Sequence, residues 1–231
     1  MVRRGLVLTA AIAAGLFMAI AGTISLTNAS QGQQQQQQQL DPTKSSTTTS
    51  TGKVTTVRAG AGGAEAPLTV FIPSHIEIKV GEKVVWINPT LVSEPHTVTF
   101  MKDNSTFADF GSPFIVSKNV TFTPLSPSSN GEPFIMPNDN DTNIVVTLNK
   151  RSFFPDVINS DDKASYLALD AEYSMDGTEK FVNSGWIWPK DQTPQGVPPI
   201  NQFAVTFTQA GTYNYVCLVH PWMKGEVVVT K

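Results

Sequence analysis

The chain downstream of Pro67 alternates hydrophobic and polar residues with a period of two, in short runs that end at turn-forming residues. This period is typical of β-strands that have one face in a core. In the first run, Leu68, Val70 and Ile72 are expected to share one face. No long helical period follows the N-terminal segment, so the pattern predicts an all-β sandwich of short strands. The predicted strands are Leu68–Ile72, Ile76–Val80, Lys83–Asn88, His96–Phe100, Phe203–Thr208, Tyr213–Cys217 and Gly225–Thr230.

The N-terminal segment has a different pattern, because an uncharged apolar stretch from Gly5 to Leu26 follows Arg3 and Arg4. As a helix it approaches the length needed to cross a hydrocarbon core of about 30 Å. It is also longer than the apolar part of a secretory signal, usually about 7 to 15 residues. Residues 1–29 are therefore predicted to be a transmembrane anchor or a cleaved signal peptide. Either alternative places the rest of the chain outside the cytoplasm.

Residues 30–66 are rich in Gln, Ser, Thr and Gly and include an unbroken run from Gln33 to Gln39. So little apolar surface cannot offset the entropy lost on ordering, and the segment is predicted to be a disordered linker. The predicted organisation is an N-terminal apolar helix, this linker, and a single globular domain at 67–231.

Composition and charge exclude some functions. Charged residues make up 15% of the chain and the net charge is −3. No cluster of Lys and Arg is visible, so a nucleic-acid partner is not expected. Cys217 is the only cysteine, so no intramolecular disulfide can form. A free thiol in an exported protein calls for a chemical role, and metal ligation supplies one.

Three metal-binding residue types lie together in one predicted loop. Cys217, His220 and Met223 offer a thiolate, an imidazole and a thioether within seven residues. A thiolate with two imidazoles and a weak axial thioether is the ligand set of an electron-transfer copper centre. The loop therefore predicts a copper site that requires one further imidazole.

Two histidines remain as candidates for that imidazole. His96 is preferred because it opens a predicted strand where a neighbouring loop could reach the same end of the sandwich. His75 follows Ile72-Pro73-Ser74 and matches no ligand segment, so it is expected at the surface. Glu94, two residues before His96, remains open as an axial ligand.

The spacing Cys-x2-His-x2-Met in residues 217–223 resembles the ligand loop of the cupredoxins, the blue copper proteins of plastocyanin and amicyanin type. The flanks Gly211–Tyr213 and Gly225–Val227 are similar to that family, as are Val80–Asn88, Pro95–Val98 and Asn183–Gly185. The resemblance implies a Greek-key β-sandwich. It also implies one type 1 copper ion bound by His96, Cys217, His220 and Met223. Thr97 departs from the pattern, since many members have Asn there to brace the ligand loop.

The stretch between His96 and Cys217 is much longer than small cupredoxins need, and an insertion is placed at about 101–180. It contains twelve acidic and six basic residues, a balance of −6. Glycosylation sequons at Asn104, Asn119 and Asn140, with another at Asn28, indicate surface-exposed loops and a glycoprotein. The insertion is expected to be decorated loops with extra strands such as 144–148, or a docking surface for a basic redox partner.

Together these observations predict a membrane-associated, extracytoplasmic blue copper protein that carries single electrons between redox protein partners. It is not expected to be an enzyme, because a copper oxidase or nitrite reductase needs a further histidine-rich substrate site and the chain has three histidines. The alternative function is copper handling, as a chaperone or store. A sandwich that has lost its copper is disfavoured, since all four ligand types are present.

Overall fold

The computed structural model describes residues 52–102, 114–123 and 131–231. Within these residues the chain forms fifteen strands and one short 3₁₀ helix, Lys150–Ser152. The strands are β1 (Val54–Gly63), β2 (Ala66–Ile72), β3 (His75–Lys79), β4 (Lys83–Ile87), β5 (Thr99–Met101), β6 (Phe114–Ser117), β7 (Phe134–Pro137), β8 (Thr142–Thr147), β9 (Pro155–Ile158), β10 (Ala164–Tyr166), β11 (Glu172–Met175), β12 (Phe181–Ser184), β13 (Gln202–Phe207), β14 (Gly211–Val216) and β15 (Lys224–Thr230). The predicted all-β sandwich is confirmed.

Two large sheets make up the sandwich. One has the strand order β11-β13-β4-β1-β2, and the other has the order β10-β9-β12-β5-β14-β15-β3. Both sheets are mixed. In the first, β1 is parallel to β4 and antiparallel to β2, and in the second, β15 is parallel to β3 and antiparallel to β14. A separate three-stranded sheet has the order β6-β8-β7.

Aromatic side chains from both large sheets fill the space between them. Trp86 on β4 contacts Phe100 on β5 and Tyr215 on β14, with ring centroids 5.8 and 5.2 Å apart and the planes steeply inclined. Edge-to-face contacts of this kind add to the free energy gained by burying the rings. Cys217 and Met223 belong to the same buried cluster. The candidate ligand loop is therefore anchored directly in the core.

The predicted start of the globular domain at residue 67 is wrong, because β1 lies inside the segment assigned to the linker. It pairs with both β2 and β4, and Val57 and Ala59 are fully buried. The small Ala and Gly residues of β1 bury little area each, so the composition of this strand suggests disorder. Pairing on both sides satisfies its backbone groups instead. Residues 1–29 and 30–51 lie outside the described residues.

The face of β2 also differs from the expectation. Leu68 and Val70 are 52% and 41% exposed, whereas Phe71, the residue after Val70, is buried. Side chains alternate along a strand, so burying the larger Phe71 places Leu68 and Val70 on the opposite, outer face. The strand lies at the edge of its sheet and is paired there with β1 alone.

The segment predicted as an insertion contains two structural parts. The strands β6, β7 and β8 form the separate three-stranded sheet, in which β8 corresponds to the expected extra strand. By contrast, β9, β10 and β11 join the two large sheets and so help to build the sandwich. The sequon residues Asn119 and Asn140 are exposed, whereas Asn28 and Asn104 lie outside the described residues. None of the helices within residues 52–102, 114–123 and 131–231 is long and apolar enough to cross a membrane.

Candidate metal centre

The loop between β14 and β15 is closed by short backbone hydrogen bonds. Val216 pairs with Lys224 at the ends of the two strands. The amide of Cys217 donates to the Met223 carbonyl over 3.0 Å, and the amide of Met223 donates to the His220 carbonyl over 2.8 Å. These bonds hold Cys217 and His220 on one tight turn, so that both side chains project from the same short segment.

His96 reaches the same place from a different segment. It precedes β5, which begins at Thr99 and is thus shorter than the predicted strand His96–Phe100. His96 is held by an isolated antiparallel bridge to Ile187, with its amide donating over 3.1 Å and its carbonyl accepting over 2.7 Å. The buried Asn88 side chain donates to the Ile187 carbonyl at 3.1 Å. This network fixes the backbone from which the His96 ring projects.

The three side chains converge on one point. Nδ1 of His96 and Nδ1 of His220 lie 3.2 Å apart, and the Cys217 Sγ lies 4.0 and 3.7 Å from them. A circle through these three atoms has a radius of about 2.1 Å, close to a metal–nitrogen bond of about 2.0–2.1 Å. All three residues are buried. The arrangement therefore fits one transition-metal ion with a sulfur and two nitrogen ligands.

The electrostatics of the group favour a bound cation. Burial, and secondarily the neighbouring His220, lowers the pKa of His96 to about 3. Burial also lowers the pKa of His220, although Glu94 opposes this shift. Both imidazoles are thus neutral near pH 7 and can donate lone pairs. Burial raises the pKa of the Cys217 thiol, so a metal ion is needed to stabilise the thiolate.

Thr97 connects the two segments that carry the candidate ligands. Its amide donates to the Cys217 Sγ over 3.3 Å, and its hydroxyl accepts from the Leu218 amide over 2.8 Å. The hydroxyl also lies 3.0 Å from that of Thr99, which donates to the Asn183 side chain at 2.8 Å. Thr97 therefore braces the ligand loop through its hydroxyl.

The other predicted site residues take distinct positions. Met223 is buried in the cluster that includes Cys217, and its role as a thioether ligand stays a prediction. His75 lies on the surface, 2.9 Å from Glu226 and 3.5 Å from Glu77. It takes no part in the three-residue group. Glu94 contacts Nε2 of His220, whereas Nδ1 of that ring faces Cys217, so its carboxylate lies on the far side of the ring from the sulfur.

Sequence reasoning missed one residue that shapes the site. Gly60 in β1 has a φ of +93°, and a Cβ there would fall 2.6 Å from Nε2 of His96. The absence of a side chain lets β1 pass close to the imidazole. Gly60 was assigned to the linker, and its position between Ala59 and Ala61 in an alternating run was the available signal.

Trp222 lies at the protein surface, next to the candidate metal centre. Its ring is 68% exposed and sits 5.3 Å from the His220 ring, in an edge-to-face arrangement. The indole Nε1 donates to the Thr69 hydroxyl over 2.7 Å. The ring is therefore held beside the His220 imidazole.

No family model matches the chain. A stretch of 27 residues is 59% identical to amicyanin from Paracoccus denitrificans, and one of 27 residues is 52% identical to amicyanin from Paracoccus versutus. The resemblance to the cupredoxins is confirmed. Each match covers 12% of this chain and 21% or 20% of the relative, so the chain matches these curated cupredoxins over about a fifth of their length.

Solved cupredoxin structures cover a larger share of the chain, at lower sequence identity. Amicyanin from Paracoccus versutus covers 77% of this chain and 81% of its own, at 17% identity and a TM-score of 0.29. A purple cupredoxin from Nitrosopumilus maritimus covers 76% of this chain and 99% of its own, at 17% identity and a TM-score of 0.30.

Proposed function

We propose that the chain is a blue copper electron carrier. In this proposal the domain is a Greek-key cupredoxin sandwich, and His96, Cys217, His220 and Met223 hold one type 1 copper ion. The observation that carries it is the buried convergence of one sulfur and two imidazole nitrogens within 4.8 Å of one another. That donor set belongs to electron-transfer copper sites.

The bound copper would supply a one-electron couple between Cu(II) and Cu(I). The chain's part is to keep the ligands in place through both states. Cys217 and His220 sit on the closed turn, and His96 is held by its bridge to Ile187. The amide of Thr97 donates to the sulfur, which moderates the charge on a thiolate. Buried ligands also keep water and small substrates away from the metal.

An exit for electrons is offered by the His220 side of the site. The exposed Trp222 ring packs against the His220 imidazole, so a partner that covers Trp222 would come close to a ligand. Aromatic residues of this kind are enriched where proteins dock. We propose redox proteins as the partners, with no nucleic acid and no enzymatic turnover by this chain.

The location belongs to the same proposal. The uncharged segment 5–26 behind Arg3 and Arg4 would hold the protein on the outer face of the cell membrane, or would export it if cleaved. The sequons would then be available for glycosylation.

The test is the visible spectrum of the full-length chain, purified in detergent and titrated with Cu(II). We expect intense thiolate-to-copper absorption that disappears reversibly on one-electron reduction. The Cys217→Ser variant should lack this absorption, and His75→Ala, which removes the surface histidine, should keep it. A colourless wild-type protein would refute the blue copper site, and colour in the Ser variant would refute the ligand assignment.

Copper handling is the weaker alternative. A chaperone or store exchanges its ion and so needs accessible ligands, whereas His96 and Cys217 are almost completely buried. Rapid transfer of copper from the wild-type chain to a soluble chelator would favour handling over electron transfer.

A further inference from the structure

The two nitrogens of the His220 ring face different neighbours. Nδ1 points to Cys217 and His96, at 3.7 and 3.2 Å. Nε2 lies 2.9 Å from a carboxylate oxygen of Glu94. A carboxylate can only accept a hydrogen bond, so Nε2 is the donor in this contact. The His220 side chain is 9% exposed and that of Glu94 is 34% exposed, so the contact is partly shielded from water.

The backbone of Glu94 is held in place independently of this contact. Its carbonyl accepts from the Asn88 side chain over 2.8 Å, and its amide donates to the Val92 carbonyl over 2.8 Å. Asn88 also donates to the carbonyl of Ile187, the residue that bridges to His96. One network therefore sets both the His96 backbone and the starting point of the Glu94 side chain.

We propose that Glu94 is a positioning residue for His220: its carboxylate accepts a hydrogen bond from Nε2–H and thereby holds the ring as the tautomer with a free lone pair on Nδ1. This inference rests on the proposed function, because it assigns Nδ1 to the metal. Histidine ligands generally donate their second N–H to a carboxylate or carbonyl, which fixes the ring and raises its basicity as a ligand. Here the partner comes from the segment that also carries His96.

A second consequence follows from the charge of Glu94. A negative carboxylate hydrogen-bonded to a ligand stabilises Cu(II) more than Cu(I), because the oxidised ion carries the larger positive charge. Glu94 therefore lowers the reduction potential of the site. An exposed ion pair without a role at the metal would add little and would leave the potential unchanged.

Two substitutions separate the hydrogen bond from the charge. Glu94→Gln keeps an acceptor oxygen and removes the charge, whereas Glu94→Ala removes both. Glu82→Gln is the matched control, since it makes the same charge change just before β4 begins, and the site lies beyond the other end of that strand. Its side chain accepts from the Lys79 amide, and Gln can keep that bond.

The first measurement uses the metal-free full-length chain in detergent, with the His220 tautomer read from its imidazole ¹⁵N shifts. We expect wild type, Glu94→Gln and Glu82→Gln to show the Nε2–H form, and Glu94→Ala to show a mixture. The second measurement is the reduction potential after loading with copper. Both Glu94 variants should favour Cu(I) by about tenfold relative to wild type, equivalent to a rise of about 59 mV, and the control should not shift.

The outcomes distinguish this inference from the proposed function. If the chain binds copper and Glu94→Ala matches wild type in both tautomer and potential, the inference is overturned and the proposed function stands. If the wild-type chain binds no copper, the proposed function fails and the role of Glu94 toward the metal falls with it.

Discussion

The hydroxyl of Thr97 accepts a hydrogen bond from the amide of Leu218 over 2.8 Å. The two residues directly follow two of the candidate ligands, His96 and Cys217, so this single bond ties the two ligand segments together. Thr97 is completely buried, and water is therefore not available to replace its hydroxyl.

Replacing Thr97 with Val should destabilise the protein, because the isosteric side chain leaves the Leu218 amide without its acceptor. An unsatisfied buried donor costs about 1–3 kcal/mol. We expect the free energy of unfolding of the metal-free chain to fall by this amount in chemical denaturation, and Thr97→Ser, which keeps the hydroxyl, to recover most of it. A Val variant as stable as wild type would contradict the bracing role.

Replacing Gly60 with Ala should impair the site through His96. The added Cβ would fall 2.6 Å from Nε2 of His96, at a backbone φ of +93° that disfavours a side chain. We expect Cu(II) affinity, measured by titration, to fall at least about tenfold. Gly63→Ala is the control, since a Cβ there meets nothing within 4 Å. Equal copper affinity in the two variants would show that β1 does not constrain the imidazole.

Much of the sandwich could be predicted because its strands alternate strongly. Examples are β3, β13 and β15, whose inward residues are large and apolar. The strand β1 was missed because most of its residues are small or polar, and its order depends on pairing with β2 and β4. The strands β9 to β11 were assigned to the insertion for a similar reason, since their places in the large sheets are set by pairing with other strands and not by their own sequence pattern.

The ligand loop was predictable because Cys217, His220 and Met223 are neighbours in sequence, and a turn brings neighbours together whatever the fold. The choice of His96, which is distant in sequence from this loop, rested on its place at the start of a predicted strand and on the resemblance to a known family. The contact from Glu94 to Nε2 of His220 could not be assigned from sequence, because proximity to His96 fitted a metal ligand equally well. Only the direction of the ring separates the two roles.

The buried pair Arg151 and Asp156 predicts a specific pH dependence. Burial raises the pKa of Asp156 to about 7, although the hydrogen bond from Arg151 opposes the shift. An acid with a raised pKa binds its proton more tightly in the folded state, so this carboxyl makes the free energy of unfolding decrease as the pH rises from about 4 to about 7. The decrease amounts to at most about 4 kcal/mol.

The Asp156→Asn variant should lose this contribution, and its unfolding free energy should depend less on pH between 4 and 7 than that of wild type. Chemical denaturation of the metal-free chain at several pH values measures both slopes. Asp191→Asn, at an exposed position, should keep the wild-type slope. If Asp156→Asn kept it too, Asp156 would not be the group responsible.

The exposed Trp222 predicts how copies of the protein exchange electrons. If docking covers the His220 side of the site, the indole ring contributes contact area next to a ligand. Trp222→Ser should slow electron self-exchange between oxidised and reduced copies by about tenfold, which corresponds to losing about 1.4 kcal/mol of docking free energy. Line broadening of NMR signals in partly oxidised samples measures this rate.

Val54→Ser is the matched control for Trp222→Ser, because Val54 is also exposed but lies at the start of β1, six residues before Gly60. Six residues of extended strand separate Val54 from Gly60, beside the site, by about 20 Å. Both substitutions should leave the free energy of unfolding within about 0.5 kcal/mol of wild type, so a change in rate would reflect docking. Equal self-exchange rates in the two variants would place electron transfer at another surface, because Trp222 is the exposed aromatic ring that contacts His220 in the described part of the chain.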